Sequence, residues 1–124
     1  MVTLTADRKR ALRSELEGIL GRGAVLSDPD ELLVYESDGL TLFRALADFV
    51  VFPTSAEQVS AVVKLANRER MPFVARGAGT GLSGGCLLAE GGLVLSLMRM
   101  NRVLEVDYEN QFAVVEPGLV NLHL

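Results

Sequence analysis

The residues with the clearest chemical potential are the glycines of the segment RGAGTGLSGG, residues 76–85. Five of the nine residues from Gly77 to Gly85 are glycine, and no charged side chain follows Arg76 within the segment. Each glycine loses conformational entropy on folding, so a cluster is expected where the backbone must approach something closely. Successive N–H groups without a Cβ in the way can converge on an anion. The segment predicts a phosphate-binding loop, and a tight connection without a ligand is the alternative.

The residues at positions 85 and 86 exclude the nucleotide-triphosphate P-loop. Gly79 and Gly84 have the separation that the motif G-x-x-x-x-G-K-[ST] requires. However, Gly85 and Cys86 stand where that motif needs a lysine for the terminal phosphates and a hydroxyl for Mg²⁺. Without these two side chains, the chemistry of triphosphate binding is missing.

The dinucleotide-binding fingerprint G-x-G-x-x-G also matches, at Gly79, Gly81 and Gly84. In that motif the third glycine opens a helix that packs on the sheet. Here only CLLAE separates the pair Gly84–Gly85 from the pair Gly91–Gly92. Each glycine inside a helix costs about 1 kcal/mol against alanine. We therefore predict no crossover helix after the loop, which leaves a nicotinamide-binding domain as the less favoured alternative.

Two helices are predicted upstream of the loop. The first begins after the N-cap residue Thr5 and ends at Gly21. Its apolar face consists of Leu12, Leu16, Ile19 and Leu20. The second, short helix lies in SDPDELLVYESDG, with Asp28 as the N-cap and Pro29 at the first helical position. The stretch from Leu40 to Ala47 has no clear period and is predicted to be a loop.

A predicted βαβ unit leads directly into the loop. DFVVFP predicts a buried strand ended by Pro53, and MPFVAR predicts a second strand. Between them, TSAEQVSAVVKLANRER predicts a helix with a capping box at Ser55 and Gln58. Strands joined by a crossover helix are normally parallel. After the loop, three strand-like pieces follow, GLVLSL, RVLEVD and FAVVEP, and PGLVNLHL begins like a helix.

The predicted fold class is α+β: N-terminal helices, a βαβ unit and then a strand-rich segment. We divide the chain into an N-terminal helical segment, residues 1–47, and a second part, residues 48–124. Because the chain ends shortly after a predicted helix begins, we expect it to be a fragment of a longer protein.

Composition narrows the class of partner. The chain has 124 residues, of which 49% are apolar and 23% charged, as in ordinary globular domains. Its net charge of −4 offers no basic surface for the phosphate backbone of nucleic acids. A single cysteine forms no internal disulfide, and neither a signal peptide nor a bilayer-spanning run is visible, so we predict a cytoplasmic protein. No spacing of metal ligands is present.

The order of motifs from FPTSAEQV through RGAGTGLSGG to RMNRVLEVDYENQFAVVEPG resembles one known family. It is similar to the N-terminal half of the FAD-binding domain of FAD-linked oxidases of the vanillyl-alcohol oxidase/p-cresol methylhydroxylase (PCMH) type. The nearest branch contains the glycolate oxidase FAD subunit and D-lactate dehydrogenase. The resemblance covers about residues 34–124. It implies that residues 48–124 are the first half of such a domain, with the substrate domain absent.

The resemblance implies that the loop contacts the diphosphate of FAD, through backbone amides and the hydroxyls of Thr80 and Ser83. The implied cofactor-binding residues are Pro53, Arg76, Gly77, Ala78, Gly79, Thr80, Gly81, Leu82, Ser83, Gly84, Gly85, Pro117 and Gly118. Covalently flavinylated relatives often carry a histidine near this loop, and none is present here. We therefore expect non-covalent FAD.

Three other side chains invite a chemical role. Arg76 is either a counter-charge for phosphate or a strand-end residue in a surface ion pair. Cys86 is expected to be a buried small residue beside a glycine turn, since an unliganded cysteine behaves as a small apolar residue. His123, the only histidine, has no identifiable acid–base partner. We therefore assign no catalytic residue.

The implied function is that of an FAD-dependent oxidoreductase of small 2-hydroxy acids, whose substrate groups come from the later domain. The family also implies further oxidase subunits as partners. In this family FAD lies between two subdomains, so we expect the 124 residues alone to bind FAD weakly or not at all. The competing hypothesis is a non-catalytic interaction module that forms a homodimer through exposed apolar sheet.

Overall fold

A four-stranded sheet lies at the centre of the computed structural model, which describes residues 4–89 and 91–124. Its strands are β1 (Val25–Leu26), β2 (Phe49–Val51), β3 (Phe73–Arg76) and β4 (Leu93–Ser96). Their order is β1-β2-β4-β3, with β1 antiparallel to β2 and with β2 and β3 both parallel to β4. The predicted βαβ strands are therefore parallel, but β4 lies between them. The predicted α+β fold class is confirmed.

Two helices cover one face of this sheet, α1 (Ala6–Leu20) and α3 (Ala56–Arg68). The Thr5 side chain caps α1 by accepting from the Arg8 amide, and Gly21, with φ +89°, ends it. Apolar side chains of both helices and of the sheet form the larger core, which contains Leu12, Leu16, Val25, Phe49, Val51, Val62, Leu65, Ala66, Met71, Leu93 and Leu95. The predicted apolar face of the first helix is therefore confirmed.

The cap of α3 differs in one contact from the predicted capping box. Ser55 Oγ accepts from the Gln58 amide at 3.3 Å, as expected. The Gln58 side chain, however, accepts from the amide and hydroxyl of Thr54 rather than from the Ser55 amide. Both side chains of the motif therefore cap α3, but the Gln58 side chain accepts from Thr54 instead of Ser55.

The second face of the sheet carries shorter elements. α2 (Pro29–Leu32) is capped by Asp28 and continues into a 3₁₀ turn, Leu33–Tyr35. A smaller core joins this segment to the sheet through Leu32, Ala47, Val50, Leu88 and Val94. Residues 36–48 have neither helix nor strand, which confirms the loop predicted for part of this stretch.

The predicted boundary between residues 47 and 48 stays a prediction. Val25 and Leu26 of the N-terminal segment pair with Val51 and Val50 of β2. That segment is therefore not purely helical, because it contributes the edge strand β1 to the central sheet. β1 was not predicted from the sequence, since two residues carry no detectable period.

The last part of the chain forms a separate two-stranded antiparallel sheet, β5 (Val103–Asp107) and β6 (Phe112–Val115). Most of its side chains are exposed on both faces. Beyond it, Asn121–His123 form a single 3₁₀ turn, where the sequence indicated the start of a helix. Among the helices of residues 4–89 and 91–124, none combines the length and apolarity needed to cross a bilayer.

Candidate functional site

The glycine loop lies at the carboxyl edge of the parallel strands. Because β2, β3 and β4 run in one direction, the segments that follow them emerge at the same edge of the sheet. Pro53 follows β2 by two residues and is fully buried, and residues 77–85 follow β3 directly. Ligands of open α/β sheets commonly bind at this edge.

Pro117 and Gly118 return to the same edge from the far end of the chain. The Gly118 amide donates to the Met100 carbonyl at 2.8 Å, just beyond β4. A Cβ at Gly118 would collide with the Leu97 carbonyl, so close packing against this turn requires glycine there. The fold thus brings the three separate groups of predicted site residues to one edge.

Two glycines of the loop are required by the conformation and packing of the protein itself. Gly79 and Gly84 both have φ +73°, a left-handed conformation that favours glycine. A Cβ at Gly79 would also collide with the Arg76 guanidinium. These two residues therefore shape the loop whether or not a ligand is bound.

The other three glycines, Gly77, Gly81 and Gly85, have no such reason. All three are exposed, none has a left-handed φ, and a Cβ at each would meet nothing within 4 Å. Their absent side chains leave open space directly above the backbone. A group that must approach the backbone closely, such as a phosphate of a bound cofactor, fits this space.

The amides of the loop are available to such a group. Within the described residues, Gly84 alone of residues 77–85 donates its amide to a protein acceptor, the Asp38 carboxylate at 2.9 Å. Backbone N–H groups are strong donors that need a partner, either water or a ligand. Thr80 and Ser83 are exposed as well, so their hydroxyls lie on the accessible surface of the loop.

Arg76 is buried rather than at the surface. Only 8% of the residue is exposed, and its Nη1 donates to the Ser37 carbonyl at 2.9 Å and to Cys86 Sγ at 3.3 Å. Its guanidinium also lies over the Tyr35 ring, 5.6 Å from the centroid. The alternative of a surface ion pair is therefore wrong, and the positive charge lies against the Gly79 backbone.

Asp38 is the residue of this region that the sequence analysis missed. It is 6% exposed, and its two carboxylate oxygens accept from the Gly84 and Leu40 amides. Those backbone hydrogen bonds, Gly84 first, hold the pKa of Asp38 below its ordinary value, and desolvation opposes them only in part. The signal available was the dipeptide Asp38–Gly39, which is typical of a turn in which aspartate accepts from nearby amides.

Two further candidate side chains lie in different places, Cys86 beside the loop and His123 near the end of the chain. Cys86 is half-buried, where the sequence predicted a buried residue, and its Sγ accepts from Arg76 at 3.3 Å. His123 is exposed in the final 3₁₀ turn. Across residues 4–89 and 91–124, no three His, Cys, Asp or Glu side chains are grouped to hold a metal ion.

An open glycine loop at the carboxyl edge of a parallel sheet is typical of domains that bind a phosphate-bearing cofactor. The sequence model of the FAD binding domain matches residues 47–124, and the chain belongs to that family. Its fold is similar to part of p-cresol methylhydroxylase, solved with substrate bound, with a TM-score of 0.81 and 27% identity. The match covers 94% of this chain and 24% of that enzyme's chain.

The chain is similar to part of a longer oxidase subunit and to part of a longer dehydrogenase. It is 40% identical over 112 residues to glycolate oxidase subunit GlcD of Escherichia coli strain K12, covering 90% of this chain and 22% of the relative. It is 45% identical over 85 residues to the D-lactate dehydrogenase of Archaeoglobus fulgidus, covering 68% of this chain and 19% of the relative. The chain therefore spans about a fifth of the length of these relatives. The resemblance noted from the sequence is confirmed.

Proposed function

We propose that residues 77–85 hold the diphosphate of FAD in an oxidoreductase that oxidises a small 2-hydroxy acid. The observation that carries this proposal is the set of three exposed glycines, Gly77, Gly81 and Gly85, for which the protein itself provides no reason. Family membership supports FAD as the ligand. Relatives named for glycolate and D-lactate, both 2-hydroxy acids, support the substrate class.

The proposed contacts divide by position in the loop. The amides of Gly77, Ala78, Gly79, Thr80, Gly81, Leu82, Ser83 and Gly85 donate to phosphate oxygens, assisted by the Thr80 and Ser83 hydroxyls. Gly84 acts by holding the loop, since its amide already donates to Asp38. Arg76 contributes its buried charge against Gly79, while Pro53 and Pro117–Gly118 shape the neighbouring edge.

Bound FAD would supply the electron chemistry, by accepting the two reducing equivalents removed from the substrate. The residues of this chain would bind and orient it. We propose that the cofactor is held without a covalent bond. Because one relative is named as a subunit of glycolate oxidase, partner subunits are part of the proposal as well.

Valine substitution of Gly77 or Gly81 tests the loop without disturbing the fold. A Cβ at either position would meet no protein atom within 4 Å, and the valine side chain would occupy the space proposed for phosphate. We expect Gly77→Val and Gly81→Val to weaken FAD binding at least tenfold, measured by titrating millimolar FAD into the ¹⁵N-labelled chain. The free energy of unfolding should change by less than about 0.5 kcal/mol.

Gly23→Val is the matched control, because Gly23 is equally open but lies in the 3₁₀ turn after α1. Its FAD affinity should equal that of the unsubstituted chain. If both loop variants bind FAD as the control does, the diphosphate is not held by this loop. Gly79→Val is a poorer test, since it would displace Arg76 and strain the backbone in any case.

A further inference from the structure

A three-residue turn, Ser37–Gly39, contacts the glycine loop at successive points. The Ser37 carbonyl accepts from Arg76 at 2.9 Å, at the start of the loop. The Gly39 amide donates to the Gly81 carbonyl at 2.9 Å, in its middle. The Asp38 carboxylate accepts from the Gly84 amide at 2.9 Å, near its end. This turn, named here the SDG turn, thus holds the loop from one side along its length.

The Asp38 side chain is fully committed to this arrangement. One oxygen accepts from Gly84 and the other from Leu40 at 3.0 Å, within the turn itself. The residue is buried, so each oxygen needs these partners. The carboxylate therefore connects the internal geometry of the SDG turn to the position of Gly84.

Gly39 lets the loop pack closely against the SDG turn. A Cβ at Gly39 would lie 2.8 Å from the Thr80 carbonyl oxygen and 3.2 Å from that of Gly81. The Gly81 carbonyl accepts from the Gly39 amide and therefore points towards the SDG turn. In a trans peptide unit the N–H group points opposite to the carbonyl of the same plane. The amide of Leu82 is consequently turned away from the SDG turn, towards the open side of the loop.

We propose that the SDG turn, with Asp38 as its central residue, positions the loop amides for the cofactor before the cofactor binds. This inference rests on the proposed role of the loop in holding the FAD diphosphate. Asp38 and Gly39 touch the loop and not the ligand, so they are positioning residues. A loop whose donors are preset binds more tightly, because less ordering is required on binding.

A second aspartate provides a matched control. Asp48 also accepts from a glycine amide, that of Gly92 at 2.7 Å, through its side chain. It precedes β2 and Gly92 precedes β4, so this contact lies at the amino edge of the sheet, opposite the loop. Removing either carboxylate deletes the same kind of bond, but only Asp38 contacts residues 77–85.

The experiment compares FAD affinity and amide exchange in the full chain with Asp38→Ala, Asp38→Asn, Gly39→Ala and Asp48→Ala. We expect Asp38→Ala and Gly39→Ala to weaken FAD binding at least tenfold and to speed hydrogen exchange at Gly84. Asp38→Asn, which keeps one acceptor oxygen, should restore part of the affinity. Asp48→Ala should lower stability but leave the affinity of the folded molecules within twofold.

The outcomes separate this inference from the proposed function. If the unsubstituted chain binds FAD at the loop and the Asp38 variants match Asp48→Ala in affinity, the positioning role is overturned and the proposed function stands. If FAD shifts other amides of the unsubstituted chain and spares those of the loop, the proposed function fails and the role of the SDG turn towards a cofactor fails with it. Gly39→Ala and Asp38→Asn keep the test decisive if Asp38→Ala does not fold.

Discussion

The five glycines of the loop fall into two groups that differ in the physical reason for glycine. Gly79 and Gly84 are needed for left-handed backbone, whereas Gly77, Gly81 and Gly85 are needed only if something outside the chain approaches. Sequence alone shows five equivalent glycines. Their separation into two groups, and hence the sharpest evidence for a ligand, requires the backbone angles and the space around each Cα.

Ser96 allows a prediction at the scale of one atom. It is fully buried at the end of β4, and its hydroxyl is the buried side-chain oxygen left without a partner among the described residues. An unsatisfied buried hydroxyl destabilises the folded state. We expect Ser96→Ala to raise the free energy of unfolding by about 1 kcal/mol in urea denaturation. A loss of stability of similar size would mean that the hydroxyl has a partner in solution.

Features of the site that involve neighbouring residues could be predicted from the sequence. Contacts between residues far apart along the chain could not. The glycine density, the preceding strand and the absence of a helix after Gly84 are local features, and the structure agrees with each over residues 76–89 and 91–96. Asp38 meets Gly84 from 46 positions away, so no local pattern could pair them. Arg76 was left between two roles, because burial is decided by packing against Tyr35 and Ser37.

At the scale of elements, the helices were predicted more completely than the strand order. Caps at Thr5, Asp28 and Ser55 are short-range and were recognised from residue type. The insertion of β4 between β2 and β3 depends on pairing between distant segments and left no mark on the local pattern. The same holds for β1, whose two residues pair with β2.

The β5–β6 hairpin gives a prediction about pH. Arg102 precedes β5 and Glu116 follows β6, and the buried Glu116 carboxylate accepts from the Arg102 side chain at 2.7 Å and from its amide at 2.8 Å. These contacts hold the pKa of Glu116 below its ordinary value, although burial opposes them. Because the folded pKa is lowered, the stabilisation is present above the ordinary glutamate pKa of about 4.3 and is lost as pH falls through the folded value.

Chemical shifts of the hairpin amides, followed from pH 7 downwards, measure this effect. We expect the hairpin to open at acidic pH in the unsubstituted chain, and Glu116→Gln to be loosened already at neutral pH with little further change on acidification. Glu105→Gln, an exposed change on β5, should behave as the unsubstituted chain does. An unchanged acid transition in Glu116→Gln would contradict the role given to this pair.

At the scale of the whole molecule, the chain combines a packed sheet-and-helix body with a hairpin that exposes apolar side chains on both faces. Leu104 is 58% exposed and Phe112 46% exposed. The homodimer considered from the sequence stays a prediction, to be tested by analytical ultracentrifugation over a range of concentrations. Weak or absent FAD binding by these 124 residues alone also stays a prediction.

The central claim is that the loop amides bind the FAD diphosphate, and a ¹⁵N–¹H correlation spectrum of the chain during an FAD titration tests it most directly. We expect saturable shifts concentrated at the amides of residues 77–83 and Gly85, with Gly23 unaffected. The same shifts should be absent in Gly81→Val. Saturable shifts that spare residues 77–85 while other amides move would contradict the assignment of the FAD diphosphate to this loop.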